Sequence, residues 1–391
     1  MGRLPPSALR RDDAAPRLPG LDLLRALAIG WVLLYHASTY DLVSDDSWLV
    51  SFGWLGVDLF FVLSGFLIAG QLLRPWARGL RPDYRRFFGR RLLRTLPAYL
   101  VIVAVYFAVP AVWDRASIQS VWQFLTFTEN FGLHPPQSFS QAWSLCVEEQ
   151  FYLALPAVVA VMAFRPSVAK VVACIVALLL MGAVVRGYVW LRYVGDPLFD
   201  TNAAAAHAKT YMTLIYYPTW TRLDGLLAGI VAAVVQTFRP RLWKAAMARG
   251  NTVLLVGLIG VGSAMFVFKS QIPTFWATVF GYPLVSFSMA LVVAAASGRQ
   301  ALVGRFAVPG ARALATGAYS LYLSHKIMFH AVDAASATLP AWAQHTRLGI
   351  ALFGALVLGA ALYWLVERPF LKLRDRLDGP SRSSIAEASP A

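Results

Sequence analysis

Charged residues make up only 14% of this 391-residue chain, and carboxylates are the rarer kind, with 20 Asp and Glu against 35 Lys and Arg. A soluble surface carries about a quarter charged residues overall, so the 58% hydrophobic composition excludes water-soluble domains. Cysteine is scarcer still. Cys146 and Cys174 lie in or beside apolar runs, which argues against a disulfide framework or a Cys-rich metal site. No polar stretch is long enough for a second folded domain, and no internal repeat or low-complexity block occurs. Also missing are a Walker-type phosphate loop, a G-x-S-x-G elbow and an H-E-x-x-H zinc helix. Their absence disfavours ATP-driven transport, lipase-type hydrolysis and metalloprotease chemistry, and no metal is expected.

What the chain does have is apolar runs of the ~20 residues that cross a hydrocarbon core. Ten are predicted, at 21–40, 49–73, 96–113, 144–164, 169–190, 211–236, 251–269, 274–297, 314–337 and 348–366. The reading is an all-α, polytopic membrane helix bundle. The first run lacks a small-residue cleavage site, so it is expected to be a retained helix, not a signal peptide. Basic residues cluster between the runs. With the N-terminus inside, 26 of the 35 Lys and Arg fall in the tails and inner connections and five in the outer ones. That asymmetry places both termini in the cytoplasm and accounts for the net charge of +15 without nucleic acid. The expected layout is a cytoplasmic tail over 1–17, a membrane domain over 18–370 and a disordered cytoplasmic tail over 371–391. Outer loops are short except Asp114–Ala142 and Arg192–Thr210.

The first run, LDLLRALAIGWVLLYH, carries Arg25 and His36. Eleven helical steps leave them only ~20° apart around the axis and ~16 Å apart along it. A histidine can accept a hydroxyl proton, and a permanent guanidinium cation suits phosphate or carboxylate. The structural alternative is an arginine snorkelling to the headgroups and a satisfied interfacial histidine.

Further polar residues interrupt later runs. Asp58 lies deep in GWLGVDLFFVLSGFLIAG, among Gly53, Gly56, Ser64 and Gly65, whose small size permits close helix packing. An intramembrane carboxylate needs a partner or water. Arg90, Arg91 and Arg94 fall on adjacent helical turns and suit an anion clamp, although positive-inside bias and anionic lipid explain such arginines too. Glu148 and Glu149 in QAWSLCVEEQFY point ~100° apart, so one at most faces a given site. Trp143, Phe151 and Tyr152 there suit an aromatic belt. Arg222 and Asp224 sit in the sixth run and Arg186 in the fifth, and Arg222 is expected to pair with Asp58 or Glu148. His325, followed by Lys326, sits mid-span in AYSLYLSHKIMFH and reads more readily as a packing contact than as a catalyst. Glu367 and Arg368 before Pro369 read as a helix stop.

In order, these motifs resemble the acyltransferase-3 family of integral membrane acyltransferases. The match rests on Arg25 with His36; on Gly56, Phe60, Phe61, Ser64 and Gly65; on Arg90, Arg91 and Arg94; and on Trp143 to Tyr152. The stretch ending in His325 and Glu367–Phe370 extend it. The resemblance implies a multi-pass protein of the plasma (bacterial inner) membrane that transfers acetyl from cytoplasmic acetyl-coenzyme A to a hydroxylated acceptor, expected to be carbohydrate. It implies His36 as the catalytic residue; the residues themselves then suggest Arg25 and Arg90, Arg91 and Arg94 for the donor's phosphates, and an acidic neighbour, Glu148 or Asp58, in the same outer half of the membrane, to hold the His36 tautomer. Ser64, Glu149, Arg222, Asp224 and His325 are assigned to a substrate or structural polar network. Many members carry a fused extracytoplasmic domain, so a separate transfer partner is an open expectation. The rival reading is a secondary transporter or flippase of an anionic or sugar-linked substrate, against which no matched pair of broken helices is visible.

Overall fold

A computed structural model describes residues 18–164, 167–195, 204–269, 273–336 and 346–377. Among them no strand occurs, and ten long helices correspond to the ten predicted runs: α1 (Pro19–Ser38), α2 (Leu55–Ala77), α3 (Tyr84–Ala108), α4 (Trp143–Phe164), α5 (Val168–Val189), α6 (Asp224–Phe238), α7 (Gly250–Val267), α8 (Tyr282–Ala296), α9 (Ala311–Ala334) and α10 (Arg347–Leu362). Eight are long and apolar enough to cross a bilayer, α8 together with the π turn Ala277–Gly281 before it and α10 together with the helical turns that follow it to Leu377. The exceptions are α6, with 15 residues, and α9, whose middle carries buried Ser320, Ser324, His325 and Lys326. The expected tail residues 1–17 and 378–391, and 196–203 of the second long outer loop, lie outside the described residues.

Local chemistry sets the ends. Pro19 opens α1, where a missing N–H is tolerated. Asp83 caps α3 by accepting from the Arg86 amide at 3.0 Å. The sixth run departs from a single helix. It begins as a π turn over Met212–Tyr216, passes through a 3-10 turn over Thr219–Thr221, and becomes helical again only at Asp224. Pro218 cannot continue the helix ladder. The Thr221 hydroxyl answers the carbonyls of Ile215 and Pro218, both at 2.7 Å, so the break is satisfied by protein.

Glu367 and Arg368 do not end the last helix. A π turn over Tyr363–Glu367 leads directly into α11 (Arg368–Leu377), whose second residue is Pro369. In a first turn the ring displaces no needed N–H. Helix therefore extends seven residues past the expected boundary at Phe370.

α2 is the most deeply buried span, packed between α1 and α6. The small residues explain how: a methyl on Gly56 would strike the Ala28 carbonyl of α1, and one on Gly65 the Leu226 carbonyl of α6. By contrast α5 exposes Val172, Val176, Leu180 and Val184, the apolar face expected against lipid. Trp143, Phe151 and Tyr152 do not form a belt. They are buried because their face of α4 meets α2.

The long loop between α3 and α4 folds back on the bundle. The Ser138 amide donates to the Ser117 carbonyl at 2.8 Å, and Phe139 stacks on Tyr106 with centroids 4.6 Å apart, beside Tyr99 and Phe124.

Candidate active site

α1 presents Arg25 to one cavity of about 220 Å³ and His36 to a second of about 210 Å³. Val57 of α2 and Tyr322 of α9 line both. The two residues that one helical stripe predicts to share a face therefore serve two adjoining chambers, separated by one side chain from each neighbouring helix.

In the second chamber His36 meets His325. Nδ1 of His36 lies 2.8 Å from Nε2 of His325, and the rings stack with centroids 4.9 Å apart. The proton positions follow from the other end of His325, where Nδ1 faces the Tyr322 carbonyl at 2.8 Å and the Leu321 carbonyl at 3.2 Å. Carbonyls only accept, so His325 Nδ1 carries the hydrogen and its Nε2, in the neutral ring, is an acceptor. His36 Nδ1 then donates to it. That leaves the lone pair of His36 on Nε2, the atom free to take a proton or attack a carbonyl. His325 is fully buried and His36 half-buried on the cavity wall. His325 is thus more than a packing contact.

The acids expected beside His36 are engaged elsewhere. Asp58 receives both its hydrogen bonds from Arg222 Nη2, at 2.9 and 3.0 Å, and the guanidinium lies over the Tyr282 ring at 4.2 Å. This is one of the two pairings expected for Arg222. Arg186 takes Asp224 at 2.6 and 3.2 Å. Glu148 accepts from the Ser64 hydroxyl at 2.8 Å and the Tyr152 hydroxyl at 2.9 Å. It lines the first cavity, whose wall it shares with Ser64, Arg25, Arg91 and Arg94. Among the described residues the group that meets His36 is His325, because Glu148 is engaged by Ser64 of α2 and Tyr152 of α4 and Asp58 by Arg222 of the broken sixth run. Glu149 and Arg90 line neither cavity; Glu149 points about 100° away from Glu148 on the same helix.

Several site groups escaped the sequence reading. Glu367 lines the first cavity and accepts from the Ser320 hydroxyl at 2.6 Å. Lys326 lines the second, beside Arg115, Ser140 and Gln141 of the folded-back loop. An amine inside an apolar run is a signal by itself. Asp114 accepts from the Tyr40 hydroxyl at 2.8 Å and lies 3.7 Å from Lys326 Nζ. Burial alone would raise its carboxyl, but the Lys326 ammonium, the Tyr40 hydroxyl and the Arg115 guanidinium hold it below the usual carboxylate range. Glu129, completely buried in the same loop, is pushed well above that range by burial, against weaker pulls from Cys146 and Lys326.

Two histidines joined ring to ring and, behind a shared wall, an arginine-lined chamber make up the candidate site. The family model described as an acyltransferase domain matches residues 18–364. This chain belongs to the acyltransferase-3 family. It is 29% identical over 339 residues to the O-acetyltransferase OatA of Staphylococcus aureus, a match covering 80% of this chain and 50% of that one. The putative peptidoglycan O-acetyltransferase YrhL of Bacillus subtilis is 34% identical over 237 residues, covering 56% of this chain and 33% of that one. The peptidoglycan O-acetyltransferase OatA of Listeria monocytogenes is 31% identical over 265 residues, covering 62% and 39%. The chain spans about half the length of the Staphylococcus aureus relative or less of the others. No solved structure matches it.

Proposed function

We propose that this protein is an O-acetyltransferase of the plasma membrane that takes acetyl from acetyl-coenzyme A on the arginine-lined side and delivers it to a carbohydrate hydroxyl at His36. The observation that carries the reading is the lone pair left on His36 Nε2, in a cavity that adjoins a second one lined by Arg25, Arg91 and Arg94. Guanidinium groups suit the donor's phosphates, and the basic connections support a cytoplasmic mouth and cytoplasmic termini. The names of the relatives, two of which specify peptidoglycan, support a carbohydrate acceptor. A separate extracytoplasmic partner for transfer belongs to the proposal.

Two routes use the same atom. His36 Nε2 takes the proton of the acceptor hydroxyl as that oxygen attacks the thioester, or it attacks the thioester itself and carries the acetyl as an acyl-imidazole. The test is to incubate the purified protein with labelled acetyl-coenzyme A and follow coenzyme A release. Release that depends on His36 supports the enzyme and disposes of the transporter reading; undiminished release by His36→Ala refutes catalysis at this site. Label retained on His36 in the absence of acceptor selects the second route, and its absence in a single turnover selects the first.

A further inference from the structure

Lys326 follows His325 on α9, and its side chain is 9% exposed. Its Nζ donates to the Ser140 hydroxyl at 3.2 Å and lies 3.7 Å from Asp114 Oδ2, beyond hydrogen-bond distance. An ammonium offers three N–H donors. Among the described residues, then, a buried cation in the His36 cavity retains donor capacity that no protein oxygen uses. Burying a charge so sparsely served is unfavourable, and a neutral apolar side chain would fill the space at lower cost. Arg115 reaches the same cavity from the exposed loop, but its guanidinium donates to the Thr39 carbonyl and lies over the Tyr40 ring. Lys326 is the cation placed within the bundle itself, one residue from the dyad.

We propose that Lys326 is a further catalytic residue: its Nζ donates to the acyl carbonyl oxygen as negative charge develops there, held in place by Ser140 and Asp114. The inference rests on acyl transfer at His36. In the direct route, the acceptor hydroxyl gives its proton to His36 Nε2 while its oxygen bonds to the thioester carbon. The C=O electron pair moves onto oxygen, opposite Lys326 Nζ. When the carbonyl re-forms, the C–S bond breaks and the departing thiolate takes the proton back from His36. One ester and one thiol result, with no oxidant or reductant. Water in place of the acceptor passes through the same oxyanion, so slow hydrolysis reports on the residue as well.

The experiment measures coenzyme A release from acetyl-coenzyme A by the purified full chain, with isolated peptidoglycan or water as acceptor. Removing one oxyanion donor lowers kcat about 10²–10³-fold, and that is the loss expected for Lys326→Met, with KM for acetyl-coenzyme A nearly unchanged. Lys326→Arg recovers part of the rate, and methylammonium ions raise the rate of Lys326→Ala at least ~10-fold by supplying the missing donor. A merely structural lysine would give variants that are unstable in detergent yet indifferent to added amine. Unchanged kcat in Lys326→Met, a loss confined to KM, or no amine rescue of a monodisperse Lys326→Ala would overturn the proposal. Should Lys326→Met not fold, the Lys326→Arg rate and the amine response of Lys326→Ala decide. If His36→Ala abolishes release while Lys326→Met does not, this inference alone fails; if His36→Ala releases coenzyme A normally, both fail.

Discussion

Nε2 of His325 accepts the hydrogen on Nδ1 of His36 across 2.8 Å, joining residues 289 positions apart in the sequence. The bond fixes the tautomer of the outer ring, a task that a carboxylate performs in other histidine sites. Held by two backbone carbonyls, His325 is itself unable to turn. His36→Ala should remove transfer entirely. His325→Ala, which frees the ring to rotate and to protonate the wrong nitrogen, should lower kcat by roughly 10²–10⁴-fold. His325→Gln, whose side-chain carbonyl can still accept, should lose less. Equal activity in wild type and His325→Ala, measured by acetyl transfer, would show that the dyad does not orient the base.

The arginine-lined chamber makes its own prediction. Arg91 and Arg94 border it and Arg90 does not. A charge-assisted hydrogen bond contributes about 1.5–3 kcal/mol, so Arg91→Ala or Arg94→Ala should weaken acetyl-coenzyme A binding about 10–100-fold with a smaller change in kcat. Arg90→Ala should stay within about twofold. Titration of donor binding checks this, and identical effects at all three positions would mean that bulk positive charge, not the chamber, attracts the donor.

Much of this architecture is legible in the sequence because lipid leaves few options: ten apolar runs must be helices, and glycines such as Gly56 and Gly65 must lie where backbones touch. Arg25 and His36 could be placed on one stripe by arithmetic along a single helix, and Asp58 could be matched to Arg222 because unpaired charges are intolerable in a membrane. What failed were statements about contacts between distant segments. Nothing local to His325 reveals that it meets α1. Asp58 and Glu148 are expected to assist His36, whereas helix packing decides that Arg222, Ser64 and Tyr152 reach them first. The break before α6 was hidden because Met212–Tyr217 is as apolar as a helix, and only Pro218 marked it. Lys326 and Asp114 were visible as residues, but their meeting depends on a loop that folds back onto the bundle.

The Asp58–Arg222 pair bears on the role once expected for Asp58. Removing one partner of a buried ion pair strands the other, at a cost of about 3–5 kcal/mol. Asp58→Asn and Arg222→Met should therefore each lower the unfolding temperature sharply. Replacing both by apolar residues, Asp58→Leu with Arg222→Met, should recover much of the loss, since no charge is left stranded. Thermal unfolding in detergent gives the cycle. If the double variant is folded and still transfers acetyl, Asp58 is a structural partner; if it is stable but inactive, the carboxylate acts in catalysis after all.

Glu129 gives stability an alkaline limit. Its carboxyl is wholly buried, one oxygen lacks any hydrogen-bond partner among the described residues, and the other faces the Cys146 thiol at 3.8 Å. Burial raises its proton affinity well above that of an exposed glutamate. The folded state therefore holds a proton that the unfolded chain releases near its ordinary value of about 4.3. Below that value the group's contribution to stability is complete, and it is lost as the pH rises toward the folded value. Glu129→Gln removes the titration while keeping the shape. The variant should unfold at nearly the wild-type temperature around pH 4, and at a progressively higher one relative to wild type as the pH rises to 8. Unfolding temperatures of the two proteins across that range, in one detergent, measure the difference directly; a gap that stays constant with pH would mean that Glu129 is ionised in the folded protein, with a cation drawn close enough to keep it so.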